Sequence, residues 1–595
     1  MMSTIFHRTN TAVVLLVGLS LALPATSVRA AFTQEQSSVL NNANFDSRSA
    51  SLADIDNDGD LDLMFQGGSG AQQLFRNNYV GSGVLTYTNI TSTMPTSDLG
   101  PSWSAAWSDY DGDGFVDVFV GQSNIGASGD VFKNNGLAGF SNESIPTGLD
   151  DPGFHQNVAW VDINNDRLLD LIIGMEGPEK HEIYLQGPGQ SFTPVGAAVG
   201  FQQDFGTKGY GLAIGDSDGD GDLDIYISTC RGDNNIRNNF YQNMLVETGS
   251  LGFVDIADTN GTQLMTNSYG TEFHDFDDDG DLDLFVVGAD RQPNKIFRND
   301  GGNMFTDVDT LTGHALISDV SGDLNGGRPI DYDNDGDLDL FFHDHLAAGG
   351  KNAGRKLYRN DGNWEFTDVT VAEGLDTQNQ GAYDSVWGDL DLDGDLDLVA
   401  PTNSSWPEHV FKSDTTTNGN HWMFIELAGL KENTTAIGAS LYATLDKGTP
   451  QERTLRREAN TNAGTFNQSD LPVHFGLGAA TLIDELRIQW PDGTIQLLHN
   501  LSVDQYLTIN SPGDFDGDGD VDGDDLARWQ TAFGTNALAD SDLDGDSDGQ
   551  DFLAWQRNYG KGLAPLTTGT AIPEPSAFVL LLLGAAQWLG KRRSH

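Results

Sequence analysis

Cysteine is nearly absent. Cys230 is the single one, so no internal disulfide can hold this chain together, and it reads as a buried small hydrophobe. Positive charge is scarce as well: the 595 residues carry 31 Lys and Arg against 88 Asp and Glu, a net charge of −57. A field of that sign repels phosphate backbones and argues against nucleic acid as a partner, though it does not by itself demand a basic one. Long apolar runs are also missing. The segment from Ala577 to Leu589 has thirteen residues, where a stable membrane span takes about 20. There is no Gly-x-Ser-x-Gly, no His-Glu-x-x-His and no phosphate-binding glycine loop, so no catalytic residue is assigned.

What is abundant is aspartate, and it is ordered: 46 of the 88 acidic residues lie in nine short loops, so the charge belongs to those loops rather than to a general surface. The clearest loop has Asp275, Asp277, Asp279 and Asp283 at positions 1, 3, 5 and 9, with Gly280 at position 6. Carboxylates this close repel one another unless a cation joins them. Ca²⁺ takes about 6–8 oxygen ligands at roughly 2.3–2.6 Å and accepts irregular loops; alternate side chains and the position-7 carbonyl would supply them, and glycine permits the turn. One copy alone could be a solvated Asp-Gly hairpin.

The spacing recurs, however, as Asp54/Asp56/Asp58/Asp62, Asp109/Asp111/Asp113/Asp117, Asp162/Asn164/Asp166/Asp170 and Asp216/Asp218/Asp220/Asp224. Beyond Asp275 it returns as Asp331/Asp333/Asp335/Asp339 and Asp389/Asp391/Asp393/Asp397. The first aspartates are 55, 53, 54, 59, 56 and 58 residues apart, which is a repeat architecture. One repeat departs from the rest. Arg167 replaces the glycine and Asn164 an aspartate, so the occupancy of the third site is left open.

Each repeat also reads as four short strands: one entering the loop, one leaving it, a Leu-Phe-Arg-Asn strand such as Leu74–Asn77, and a Phe-Thr-Asp-Val strand such as Phe305–Val308. That suits a β-propeller blade. The last repeat lacks its Phe-Thr strand, and Phe32-Thr33 is expected to complete it and close the ring. Trp107, Trp160 and Trp387, two residues before a first aspartate, are expected to be inter-blade core. Arg231-Gly232-Asp233 and His343-Asp344-His345 carry little weight as a recognition tripeptide and a metal site.

The seven Asp-x-Asp-x-Asp-Gly-x-x-Asp copies resemble the FG-GAP (VCBS-type) repeats of integrin-α-like propellers. The resemblance implies a seven-bladed β-propeller over residues 31–415 with ions in loops on one face, and it implies no particular ligand. Residues 418–510 have few aspartates and several strand patterns, as expected of a small β-sandwich. Asn420-His421-Trp422, Ala436–Ala439, His474–Gly478 and Trp490–Gly493 resemble the ASPIC/UnbV domain of secreted cartilage-acidic-protein-like proteins. His474 is expected to be a turn or core residue.

Residues 513–560 hold two further loops, Asp514, Asp516, Asp518, Asp522 and Asp525, then Asp540, Asp542, Asp544, Asp548 and Asp551. These fill positions 1, 3, 5, 9 and 12 of EF-hand-type loops, and each runs into a helix start. The pair resembles a type I dockerin, which implies a small α-helical module, two calcium ions and a cohesin partner; Trp529 and Trp555 are matched positions, either core or partner-facing. Residues 1–30 read as a secretory signal with a Val28-Arg29-Ala30 cleavage site. After a linker at 561–572, residues 573–595 run Pro-Glu-Pro, apolar segment, basic end, and resemble a PEP-CTERM sorting signal, which implies an exosortase and delivery to the cell surface of a Gram-negative-type bacterium. The expected function is a non-enzymatic, calcium-binding adhesion or matrix protein with a protein or glycan ligand. The alternative is an enzyme or accessory subunit of extracellular polysaccharide degradation, favoured if Lys, Arg, Tyr and His side chains converge over the central channel.

Overall fold

The computed structural model describes residues 31–562 apart from 36–39, 41–46, 68–71, 96–99, 124–127, 137–138, 151, 176–179, 202–207, 231–236, 290–291, 313–323, 345–353, 376–383, 403–407, 416–417, 462–467 and 470. The expected leader, the sorting segment, most of the linker, Arg231-Gly232-Asp233 and His345 lie outside the described residues. No helix among the described residues is long and apolar enough to cross a membrane.

The described residues between 31 and 415 build seven four-stranded antiparallel sheets. The second strands, Asp62–Gly67, Asp117–Gln122, Asp170–Met175, Asp224–Thr229 and Asp283–Gly288, are buried along their whole length. Neighbouring sheets cover them on both faces, which is why Leu63-Met64-Phe65 or Leu171-Ile172-Ile173 reads as a continuous apolar run rather than an alternating one. First strands of successive sheets, such as Ser102–Ser108 and His155–Val161, lie against one another, as they do around the axis of a β-propeller.

The seventh sheet comes from both ends of this segment. Thr33–Gln34 pairs with His409–Lys412, Thr33 opposite Lys412. Phe32 is buried against Tyr332 and Trp387, ring centroids 6.1 and 5.7 Å away. The expected closing strand is therefore in place. Trp107, Trp160 and Trp387 are buried between sheets; Trp107 Nε1 donates to Ser51 Oγ at 2.9 Å and Trp160 Nε1 to the Ala106 carbonyl at 3.1 Å. Cys230 is buried beside Tyr210, Tyr269 and Ala289.

The second domain is a two-sheet sandwich. His421–Ala428 lies between Val473–Gly478 and Gln505–Asn510, and the facing sheet has the order Arg453–Glu458, Ser440–Leu445, Leu482–Gln489, Ile495–Ser502. Arg453–Glu458 is a strand that the sequence pattern hides: its Arg-Thr-Leu-Arg-Arg-Glu composition reads as a loop, but it is pressed against the aspartate loops. The last segment holds two ten-residue helices, Gly523–Ala532 and Gly549–Asn558, each opened by a capping box, Asp522 with Asp525 and Asp548 with Asp551.

Candidate metal centres

Each repeat loop leaves the first strand of its sheet and enters the second, and a recurrent set of hydrogen bonds shapes them, with Asp216 of the fourth loop keeping the Gly221 contact alone. The position-1 carboxylate accepts the backbone N–H groups of positions 5 and 6: Asp54 from Asp58 and Gly59 at 3.1 and 2.9 Å, Asp275 from Asp279 and Gly280 at 3.2 and 3.0 Å, Asp331 from Asp335 and Gly336 at 3.1 and 2.9 Å. Position 6 is left-handed in all seven, with φ from +76° at Arg167 to +98° at Gly221. The position-9 carboxylate is held at both oxygens in six of the seven loops; in the second, Asp117 accepts the Asn134 N–H at 2.7 Å on one oxygen alone. Asp283 accepts the Phe276 N–H at 3.0 Å and the Asn299 N–H at 2.7 Å; Asp397 does the same with Leu390 at 3.0 Å and Ser413 at 2.7 Å.

The result is a preformed ring of oxygens. Carboxylate oxygens of Asp54, Asp56 and Asp62, of Asp109, Asp111 and Asp117, of Asp216, Asp218 and Asp220, and of Asp275, Asp277 and Asp279 lie within 4.8 Å of one another. Burial pushes these groups toward neutrality: Asp62 and Asp117 up to about 9, Asp275, Asp333 and Asp389 to about 7, Asp54 and Asp216 to about 6. Buried oxygens of Asp56, Asp111, Asp117, Asp216, Asp333 and Asp391 have no hydrogen-bond partner. Hard anionic oxygens, shielded from water and aimed together, are the donor set that fits a hard divalent cation.

The third strand supplies two residues whose roles the sequence pattern alone did not reveal. The asparagine of Leu-Phe-Arg-Asn joins sheets: Asn77 Nδ2 donates to the Leu390 carbonyl at 2.8 Å, Asn134 to Ile55 at 2.8 Å and Asn299 to Ser217 at 2.7 Å, each in the loop of the preceding sheet. The residue before it faces positions 3 and 5. Arg76 lies 3.7 Å from Asp56, Lys133 pairs with Asp111 and Asp113, Lys412 pairs with Asp391 and Asp393, and Gln242 donates to Asp218 at 2.7 Å. In the third sheet this residue is Leu185, beside the one loop with a neutral position 3. That pairing was a legible signal.

The third loop keeps its turn in spite of Arg167, whose N–H still reaches Asp162 at 2.7 Å. Asn164 is satisfied within the loop: its amide donates to Asp166 at 3.0 Å and its oxygen accepts the Asp166 N–H at 3.0 Å. Asp277→Ala is therefore expected to abolish one site in a calcium titration, whereas Asn164→Ala leaves the stoichiometry unchanged. Equal metal loss in both variants would contradict this difference.

In the C-terminal pair, Asp525 accepts from Phe515 and Asp522, both at 2.7 Å, and Asp551 accepts from Ser541 at 2.6 Å and Asp548 at 2.7 Å. Asp514 binds the Gly517 and Gly519 N–H groups at 2.8 and 3.0 Å, and Asp540 those of Asp544 and Gly545 at 3.2 and 2.9 Å. Trp529 Nε1 donates to the Asp548 carbonyl at 2.7 Å and Trp555 Nε1 to that of Asp522 at 2.6 Å, so each half closes the other's loop. The matched tryptophans are thus internal links.

The repeat loops do not face solvent freely, because the second domain sits on them. Arg453 Nε reaches Asp278 at 2.9 Å and its Nη2 reaches Asp337 at 2.8 Å. Arg456 donates to the Gly280 and Asp216 carbonyls at 2.8 and 3.3 Å, and Arg457 to Gly336 at 3.2 Å. Hydroxyls of Thr434 and Tyr506 donate to Asp109 and Asp389 at 2.6 and 2.7 Å. His474 is an interface residue, its Nε2 2.8 Å from Asn334 Oδ1. Gly394 has no room for a Cβ, which would lie 1.9 Å from the Trp422 ring.

The second domain also enters the central channel. The Trp107 N–H donates to Gln468 Oε1 at 2.6 Å, and Thr461 Oγ1 exchanges hydrogen bonds with Trp160 at 2.9 and 2.8 Å. Arg328, Glu272, His274, Arg457 and His474 meet around an interdomain chamber of about 160 Å³.

Comparison with known proteins agrees with this architecture. The FG-GAP-like repeat matches residues 54–120, 109–173, 162–227 and 275–342, and the ASPIC and UnbV domain matches 429–514. Cartilage acidic protein 1 of Xenopus tropicalis is 24% identical over 479 residues, 75% of this chain and 70% of that protein; the Mus musculus protein is 24% identical over 511 residues, 78% and 74%. Among solved structures the Dos1 propeller covers 59% of this chain and 75% of its own at 11% identity and a TM-score of 0.34, too loose a likeness to carry any argument. The chain thus carries FG-GAP-like repeats followed by an ASPIC and UnbV domain and is homologous to cartilage acidic protein 1.

Proposed function

We propose that this chain is an exported, calcium-loaded binding protein of a bacterial cell surface or matrix, with the seven sheets as blades of a closed seven-bladed propeller. The observation that carries the reading is the partnerless buried carboxylate oxygen, found in loop after loop. Calcium in the loops neutralises the face on which the second domain rests, so it stabilises the blades and the docking together. With the loop end roofed over, the far end and the rim of the ring are the surfaces left to bind an extracellular protein or glycan.

The C-terminal pair of helices reads as a dockerin-like module. Its exposed Phe533, Leu538, Leu553 and Tyr559 suit contact with a cohesin-like protein partner. The sorting signal would bring the chain to an exosortase and a membrane. The polysaccharide-degrading alternative draws on the cluster around the interdomain chamber. At about 160 Å³ that chamber is smaller than the roughly 300–1,000 Å³ of small-molecule sites, and the second domain covers it, so the binding reading is preferred.

The test is a glycan-array screen of the calcium-saturated mature protein, residues 31–572. A glycan bound without product supports the binding reading. Cleavage of any bound glycan would replace it with the enzymatic one.

A further inference from the structure

At the end of the ring away from the loops lies a cluster of opposite character. Arg355 immediately precedes the third strand of the sixth sheet, Lys356–Asn360; His343 is the fifth residue of its second strand, Asp339–Asp344; His409 opens the third strand of the seventh sheet. All three are buried, with 4%, 1% and 3% of their surface exposed. The Arg355 guanidinium lies over the Phe411 ring at 4.9 Å, His409 stacks on the same ring at 5.8 Å, and His343 meets Phe341 edge-on at 4.8 Å.

In a chain of net charge −57, Arg355 forms no ion pair among the described residues. Its Nε and Nη2, with Nε2 of His343 and of His409, have no hydrogen-bond partner among the described residues. Gln34 Nε2 donates to His409 Nδ1 at 2.8 Å, which places the imidazole proton on Nε2 and makes that atom a donor. Glu408, next in the chain, accepts the Thr402 N–H at 2.8 Å. A buried guanidinium is normally paired, and leaving its donors unmet is costly.

We propose that Arg355, His343 and His409 form an oxyanion pocket that takes a carboxylate or sulfate group of an acidic ligand. Planar, two-pronged donors such as guanidinium suit both groups. The loop aspartates do not oppose it. Four residues of strand separate His343 from Asp339, roughly 13 Å, too far for a loop carboxylate to occupy the donors of this cluster.

The inference deepens the binding reading by naming the ligand's charge. Crystals of the calcium-loaded protein soaked in selenate are expected to show an anomalous peak within hydrogen-bond distance of Arg355. In solution, sulfate should raise the melting temperature of the wild type above that of Arg355→Met by about 2 °C or more, after the general salting effect common to both is removed. Sulfated or uronic-acid glycans should lead the array hits. Absence of selenate at Arg355, or an equal sulfate response in the variant, would overturn the pocket while leaving the binding reading intact. An array without hits would remove the glycan form of the binding reading and leave the selenate result standing. Should Arg355→Met fail to fold, the soak still decides.

Discussion

Stripping calcium from the mature protein is expected to lower its melting temperature by on the order of 20 °C, because several sites each contribute roughly 4 kcal/mol when free calcium is a thousandfold above the dissociation constant. Nine loops, one of them the atypical third, imply about eight or nine ions in a calorimetric titration. The pH dependence should change sign with the metal. Without calcium, burial raises Asp62 and Asp117 from 3.8 to about 9. The folded state then binds more protons than the unfolded one throughout that window, so the stability these groups contribute is present at low pH and lost as pH rises through about 9. With calcium bound, protons compete with the ion, and stability should rise from pH 5 to 7. Melting curves in chelator and in calcium should therefore diverge as pH increases. An unchanged melt in chelator, or parallel pH profiles, would refute the calcium-loaded reading.

Undocking of the second domain is the next largest effect expected. Arg456 is almost fully buried, with its Nε on Glu458 at 2.7 Å and its Nη atoms on the carbonyls of Gly280 and Asp216 in two neighbouring loops. Arg457 lies beside it on the Gly336 carbonyl. Truncating both to alanine removes the cations that face these acidic loops, and breaking a buried pair of this kind costs about 3–5 kcal/mol. The double variant should melt in two steps, with the ring and the sandwich separated. It should also become more sensitive than wild type to protease between residues 413 and 420. A single transition at the wild-type temperature would mean that these arginines do not hold the domains together.

Much of this is legible in the sequence. The aspartate loops announce themselves because one turn of nine residues brings alternate carboxylates within a few ångströms of one another; the spacing is a local property written out in the chain. The ring followed from the period, and its closure from a missing fourth strand at one end and a spare Phe-Thr at the other. The basic residue and asparagine of the third strand were visible as a repeat, but not as the partner of positions 3 and 5 or as the link to the preceding sheet. Leu185 opposite Asn164 shows that the sequence held this information as a pairing between two sites some twenty residues apart.

By itself, then, the sequence determined what is built from neighbours: the oxygen rings, the blade repeat, the order of domains and the two C-terminal loops with their helices. The tertiary structure alone decided which end of the ring the second domain covers. That outcome depends on Arg456 meeting Gly280 and Asp216 across 176 and 240 residues of chain, and on Gln468 reaching Trp107 through the central channel. The same holds for Arg355, His343 and His409, which three separate strands bring into one place. Such contacts have no period and no spacing, because they arise from the packing of finished elements rather than from the backbone that forms them.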